Sequence, residues 1–257
     1  MPTDLDPHMA PRPFSWTPPP ERPPLRDGEV HVWLADLGQP ASRVDTLSRL
    51  LSPDESRRAK GFYFKHHRQA FAVARGLLRT ILASCTGAHP RDLNFAYSPH
   101  GKPYLPVAHG DCDIRFNLSH SHGLALYAVA RGREVGVDIE YCRPRVAFME
   151  IAEHFFSPLE IKTFRRLPEH LRREAFFNCW TRKEAFIKAV GKGLSFPLDG
   201  FDVSLTPGEP AVLHGVRDGG RQAPRWALRE LQPAPGYVGA VAAEGQNWQP
   251  TCWLVNP

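Results

Sequence analysis

The chain has 257 residues, 42% hydrophobic and 23% charged, proportions that exclude disorder throughout and fit one large domain or two smaller ones. Its 32 Lys and Arg against 27 Asp and Glu give +5 with histidine neutral, which suits an anionic partner: nucleic acid, a polyphosphate ligand or an acidic protein. Five cysteines, Cys85, Cys112, Cys142, Cys179 and Cys252, form no C-x-x-C pair, so neither a zinc site nor a disulfide framework is expected and the thiols read as reduced.

Residues 1–27 are dense in proline, with Pro18-Pro19-Pro20 and Pro23-Pro24, so they are expected to form a flexible tail rather than ladders or helices. They lack the apolar core of a signal peptide, and no stretch approaches the roughly 20 apolar residues of a membrane span. The expected location is the cytoplasm, with no membrane partner. Val30 to Leu34 alternates as a strand, and Ser52-Pro53-Asp54-Glu55 opens a helix with an N-cap serine, a first-turn proline and a capping-box glutamate. A longer helix is predicted from Arg68 to about Cys85. Gly87, Pro90, Pro99, Gly101, Pro103 and Pro106 mark a loop-rich stretch, followed by strands at Ile114 to Leu118, Leu124 to Ala130 and Val135 to Glu140. A second capped start, Ser157-Pro158-Leu159-Glu160, precedes a helix from Arg172 to about Val190, and short strands close the chain.

An offset of 105 residues superposes landmarks of the two halves. Ser52, Pro53 and Glu55 fall on Ser157, Pro158 and Glu160, and Val30 and Val32 fall on Val135 and Val137. Because the matches cluster at strand starts and helix caps, the sequence reads as a duplication.

Chemistry gathers in the second half. In Val137-Asp138-Ile139-Glu140, period-two geometry puts both carboxylates on one strand face, where hard oxygens suit magnesium; an exposed edge strand with solvated acids is the alternative. Trp180, Glu184 and Lys188 recur every four residues and share a helix face, as would a surface ion pair beside a core tryptophan. Lys183 falls off that face and reads as a solvent- or backbone-facing charge. In the first half, His100-Gly101-Lys102-Pro103 sets a cation in a turn, Asn117 to Gly123 offers hydroxyls and imidazoles at a strand end, and Arg57 to Arg68 forms a basic run. Each also fits a plain structural role. No aromatic-interleaved basic surface suggests a nucleic-acid partner.

Taken in order, H-G-K-P-Y from His100, F-N-L-S-H-S from Phe116, V-G-V-D-I-E from Val135, F-F-S-P-x-E from Phe155 and W-T-R-K-E-A-F-I-K-A-x-G-K-G-L from Trp180 resemble the Sfp-type 4'-phosphopantetheinyl transferases. The resemblance covers roughly Ser52 to Leu205. It implies an α+β fold of two similar subdomains related by a pseudo-twofold axis, expected here at residues 28–130 for nucleotide and phosphate contacts and 131–257 for metal and catalysis. The implied reaction moves the 4'-phosphopantetheine of coenzyme A to a serine of an apo acyl or peptidyl carrier protein; a catalytically silent coenzyme A or carrier-binding module is the alternative. By resemblance Asp138, Glu140 and Glu184 bind Mg2+, while Lys188 and His120 assist at the phosphates. Arg58, Lys65, Lys102, Pro103, Asn117, Ser119 and His120 hold the coenzyme together with Asp138, Glu184 and Lys188. Glu184 is the candidate base, directly or through a water on the metal. Glu160 matches an acid given a catalytic part in some members of that family, but its place in Ser157-Pro158-Leu159-Glu160 is accounted for by a helix cap. A basic position of the family falls on Glu55, where a cation is lost and Arg58, Lys65, His66 or Arg75 could compensate. The carrier is expected to be acidic around its serine and to dock at Gly191 to Phe196, and the enzyme is expected to be a monomer.

Overall fold

The computed structural model describes residues 15–106, 113–144, 147–217 and 225–255. The first half runs β1 (Val30–Asp36), α1 (Ala41–Ser48), α2 (Pro53–Lys60), α3 (Lys65–Thr86), a small hairpin β2 (Ala96–Tyr97) and β3 (Pro103–Tyr104), then β4 (Ile114–Ser121) and β5 (Leu124–Arg131). The second runs β6 (Val135–Tyr141), α4 (Phe148–Phe155), α5 (Pro158–Arg166), α6 (Glu169–Val190), the hairpin β7 (Phe201–Val203) and β8 (Leu213–Val216), then β9 (Trp226–Leu231), β10 (Tyr237–Glu244) and finally β11 (Pro250–Leu254).

Duplication is visible in both topology and caps. Strand order β1-β5-β4 in one sheet is repeated as β6-β10-β9 in the other, each an antiparallel set. Helices α2 and α5 both begin with a full capping box, on Ser52 with Glu55 and on Ser157 with Glu160, and α3 and α6 are each 22 residues long. Helices α1 and α4 have no side-chain N-cap bond, and the sequence gives no signal for their starts. Strand β11 crosses back to pair in parallel with β1, Val30 opposite Pro250, so the chain's last strand completes the first half's sheet.

Three apolar clusters hold this together. One lies between the first sheet and α3, one between the second sheet and α6, and one between the two sheets. Strand β5 is therefore buried on both faces, with Ala125, Tyr127 and Val129 toward α3 and Leu126, Ala128 and Ala130 toward the other sheet, which is why it reads as an unbroken apolar run. Gly136 sets the distance from β6 to α6: a Cβ there would stand 2.2 Å from the Ala185 carbonyl oxygen and 2.3 Å from the Ala189 nitrogen.

Residues 15–27 of the proline-rich segment depart from the expected flexible tail. The Trp16 indole donates to the Gln232 carbonyl at 2.9 Å and its ring packs against the inter-sheet cluster. Thr17 makes two backbone bonds to β11, and Leu25 is buried in the first half's core. Proline removes donors, but the N–H groups and apolar rings between the prolines remain free to pack. The four cysteines among the described residues, Cys85, Cys142, Cys179 and Cys252, are free; Cys112 lies outside them.

Candidate active site

Strands β4 and β6 lie alongside one another where the halves meet, and α6 crosses β6 at the Gly136 contact. This convergence brings together Ser119, His120 and Ser121 from β4, Asp138 and Glu140 from β6, and Glu184 and Lys188 from α6. Helix α6 is enclosed almost all round. From Ala175 to Ala189 the residues that are not buried are Trp180, Glu184 and Lys188, the stripe expected from their four-residue spacing. Lys183 is fully buried instead of reaching solvent: its ammonium meets Glu160 at 2.8 Å and the carbonyls of Leu198 and Phe201.

Asp138 is the centre of the group. Its Oδ1 accepts from the Ser119 hydroxyl at 2.7 Å and from the Lys188 ammonium at 2.6 Å, while its Oδ2 is buried and has no hydrogen-bond partner. Glu140 Oε2 accepts from Ser121 Oγ at 2.8 Å. Burial pushes the Glu140 carboxyl above its ordinary pKa, with Asp138 adding repulsion and the Ser121 bond opposing it. Glu184 is likewise raised, first by burial and then by Asp138 and Glu140, against the pull of Lys188. Mutual destabilisation of clustered carboxylates is the condition that a cation relieves. Among the described residues no three His, Cys, Asp or Glu side chains are grouped tightly enough to hold an ion as they stand. Magnesium commonly takes only one or two carboxylates, with phosphate oxygens and water completing its shell. The all-oxygen donor set and the orphaned Asp138 Oδ2 therefore fit such an ion.

The other expected residues are placed less uniformly. His120 sits on the rim, and its pKa is lowered by partial burial and then by the Lys188 charge, so at neutral pH it offers one N–H rather than a positive charge. Asn117 is buried, its Oδ1 accepting the Val137 N–H at 3.0 Å. The Lys102 ammonium donates to Glu134 at 2.8 Å and to the carbonyls of Val135 and Ala189 at 3.2 and 3.0 Å, which uses its three donors. With Pro103, Arg115, Val190 and Gly191 it lines a cavity of about 250 Å³ that draws on both halves. Arg58 and Lys65 are exposed. Arg58 stands over the Phe71 ring, 5.5 Å from its centroid, and neither residue bonds to the acids. A separate cavity of about 840 Å³, between α4 and the start of α6, contains none of these residues.

Glu55 is not an exposed replacement for a lost cation. It is buried, capping α2 while pairing with Arg75 at 2.5 Å and Arg79 at 2.7 Å, as Glu160 caps α5 and pairs with Lys183. Arg75 is thereby committed to Glu55. Phe196, expected at a docking edge, is buried in the second half's core. Ser121 belongs to the hydroxyl-bearing stretch from Asn117 to Gly123 but has no role of its own in the linear pattern; the S-x-S spacing of β4, which matches the D-x-E spacing of β6, is the signal that points to one.

The chain matches the family model for the 4'-phosphopantetheinyl transferase superfamily over residues 134–242 and that for the 4'-phosphopantetheinyl transferase N-terminal region over residues 39–131. It is similar to 4'-phosphopantetheinyl transferase HetI of Nostoc sp., 42% identical over 239 residues that cover 93% of this chain and 98% of that protein. A Bacillus subtilis 4'-phosphopantetheinyl transferase is 33% identical over 64% of this chain and 71% of its own length. The Sfp transferase of the same species is 32% identical over 60% and 66% respectively.

Proposed function

This chain belongs to the 4'-phosphopantetheinyl transferase family, and we propose that the junction of β4, β6 and α6 is where it moves the phosphopantetheine arm of coenzyme A to a carrier protein. The enzyme converts an apo carrier to its holo form and releases 3',5'-adenosine bisphosphate. The carrier serine hydroxyl gives up its proton, its oxygen bonds to the β-phosphorus, and the bond from that phosphorus to the bridging oxygen breaks, leaving the electron pair on the nucleotide. Asp138 and Glu140, with Glu184 turning in from α6, would hold Mg2+, which when bound neutralises charge on the pyrophosphate oxygens.

Lys188 reaches the same region on a partly exposed side chain, so its ammonium can donate to a phosphate oxygen as negative charge grows. The neutral His120 imidazole can donate its N–H beside it. Glu184, whose pKa burial and the neighbouring acids raise above the ordinary carboxylate value, is suited to take the serine proton, directly or through an intervening water. Pro103 lines the cavity shared by the two halves, which would receive the nucleotide end, Ser119 braces the floor beneath the phosphates through Asp138, and exposed Arg58 and Lys65 supply cations toward the coenzyme or an acidic carrier. One chain contributes both walls of the cleft, which supports a monomer. No helix among the described residues is long and apolar enough to cross a membrane, and free thiols at the four described cysteines fit a reducing cytoplasm.

The observation that carries this reading is the buried Asp138, half satisfied by Lys188 and Ser119 and half orphaned, where the two halves meet. Incubation with coenzyme A, Mg2+ and an apo carrier, followed by intact mass, tests it. Loading should stop on chelation, return with added Mg2+, and be lost in a folded Asp138→Ala variant. Wild-type loading by that variant would remove Asp138 from the mechanism.

A further inference from the structure

Strands β4 and β6 belong to different sheets, and no backbone ladder joins them although they run side by side. A strand edge in this position carries N–H groups that need acceptors from elsewhere. Three β4 side chains, two residues apart and thus on one side of the strand, reach across. Asn117 Oδ1 accepts the Val137 N–H at 3.0 Å. Ser119 Oγ donates to Asp138 at 2.7 Å. Ser121 Oγ accepts the Tyr141 N–H at 3.2 Å and donates to Glu140 Oε2 at 2.8 Å.

We infer that Ser121 is a positioning residue for Glu140, holding the second acid of the proposed metal site at the place on β6 from which it can share an ion with Asp138. The inference rests on the three-acid reading above. A serine has one proton to give. Because Ser121 Oγ already accepts from the Tyr141 backbone, that proton is directed to the carboxylate; the His122 ring nitrogen, 3.5 Å away, is at the limit of hydrogen-bond range and competes weakly. The bond pins one Glu140 oxygen and leaves the other to be offered. Ser119 does the same for Asp138, where Oδ1 is taken and Oδ2 is left. Glutamate in a cleft has several rotatable bonds, and a fixed partner removes freedom that would otherwise be lost on binding the ion. Ser121 itself is buried, so its hydroxyl is held by packing and by Tyr141 rather than by solvent.

The test is Mn2+ binding with coenzyme A present, followed by the electron paramagnetic resonance of the free ion, for wild type, Ser121→Ala, Ser121→Thr and Asp138→Ala, with thermal unfolding measured alongside. Ser121→Ala should weaken Mn2+ binding roughly 10-fold or more, and Ser121→Thr, which keeps the hydroxyl, should restore it. A folded Ser121→Ala with wild-type Mn2+ affinity and a lowered melting temperature would show a packing role only and overturn the inference. If the alanine variant does not fold, Ser121→Cys, of similar volume but a poor donor, is read in the same way. Should Asp138→Ala also bind Mn2+ like wild type, the three-acid reading itself fails; loss in Asp138→Ala without loss in Ser121→Ala rejects the Ser121 role alone.

Discussion

Lys102 separates what a residue type suggests from what its neighbours allow. A lysine in a Gly-Lys-Pro turn reads as a phosphate ligand, yet the turn packs against the end of α6, where the Ala189 carbonyl, the Val135 carbonyl and Glu134 take its donors. A cation at a helix C-terminus is favoured by the unpaired carbonyls there. Burial lowers the Lys102 pKa, with Glu134 opposing, so the ammonium is held by its partners rather than by water. Lys102→Ala should therefore lower stability by about 1–3 kcal/mol, the cost of leaving polar groups unpaired, and change coenzyme A affinity little in calorimetry. Weakened coenzyme binding with an unchanged melting temperature would instead mean that Lys102 leaves these partners for a phosphate. Asp138 differs because an oxygen of its buried carboxylate is left without a partner, which marks it as chemically available in a way the sequence could not.

At the scale of elements, each half uses a buried glutamate to tie the start of one helix to the middle of the next. Glu55 joins α2 to Arg75 and Arg79 of α3, and Glu160 joins α5 to Lys183 of α6. Burial acts against the charged form of Glu55, but Arg75, the Ser52 backbone bond and Arg79 outweigh it and hold its pKa below the ordinary carboxylate value. A depressed folded-state pKa contributes stability that is present above the unfolded value, near 4.3, and is lost as pH falls through the folded one. Glu55→Gln leaves two buried guanidiniums short of charge, and removing one member of a buried pair costs about 3–5 kcal/mol. Melting curves at pH 7 should show that loss clearly. The gap between wild type and variant should narrow as pH falls below about 4; a gap constant with pH would mean the pair contributes packing rather than charge.

For the whole molecule, the proline-rich segment acts as a strap. Trp16 reaches the Gln232 carbonyl in the second half, Thr17 is bonded to β11, which lies in the first half's sheet, and Leu25 enters the first half's core. A chain beginning at Leu25 should be less stable than one beginning at Ser15 by roughly 1 kcal/mol, about half the worth of fully burying a large apolar side chain because Trp16 is only partly buried, a fall on the order of 3 °C in melting temperature for a protein this size. Equal melting temperatures would show that these contacts contribute nothing. Strand β11 has the same consequence for connectivity: the two halves are similar, but the first half's sheet is completed only by the chain's last strand.

The sequence by itself determined the duplicated α+β plan, the paired capping boxes, the D-x-E strand and the four-residue stripe of Trp180, Glu184 and Lys188. These are local patterns, set by periods of two and 3.6 and by cap chemistry within a few residues. Only the tertiary structure decided which charges are available. In a linear reading Glu55 is a capping glutamate, Lys102 a phosphate cation and Lys183 a solvent- or backbone-facing charge, yet each meets charged or carbonyl partners between 15 and 87 residues away. Ser121 gained its role the same way, because β4 and β6 lie edge to edge without a ladder and a side chain must stand in for the missing backbone partner. Such pairings depend on which surfaces the fold presses together, and the energetic need to satisfy buried polar groups arises only once that burial has occurred.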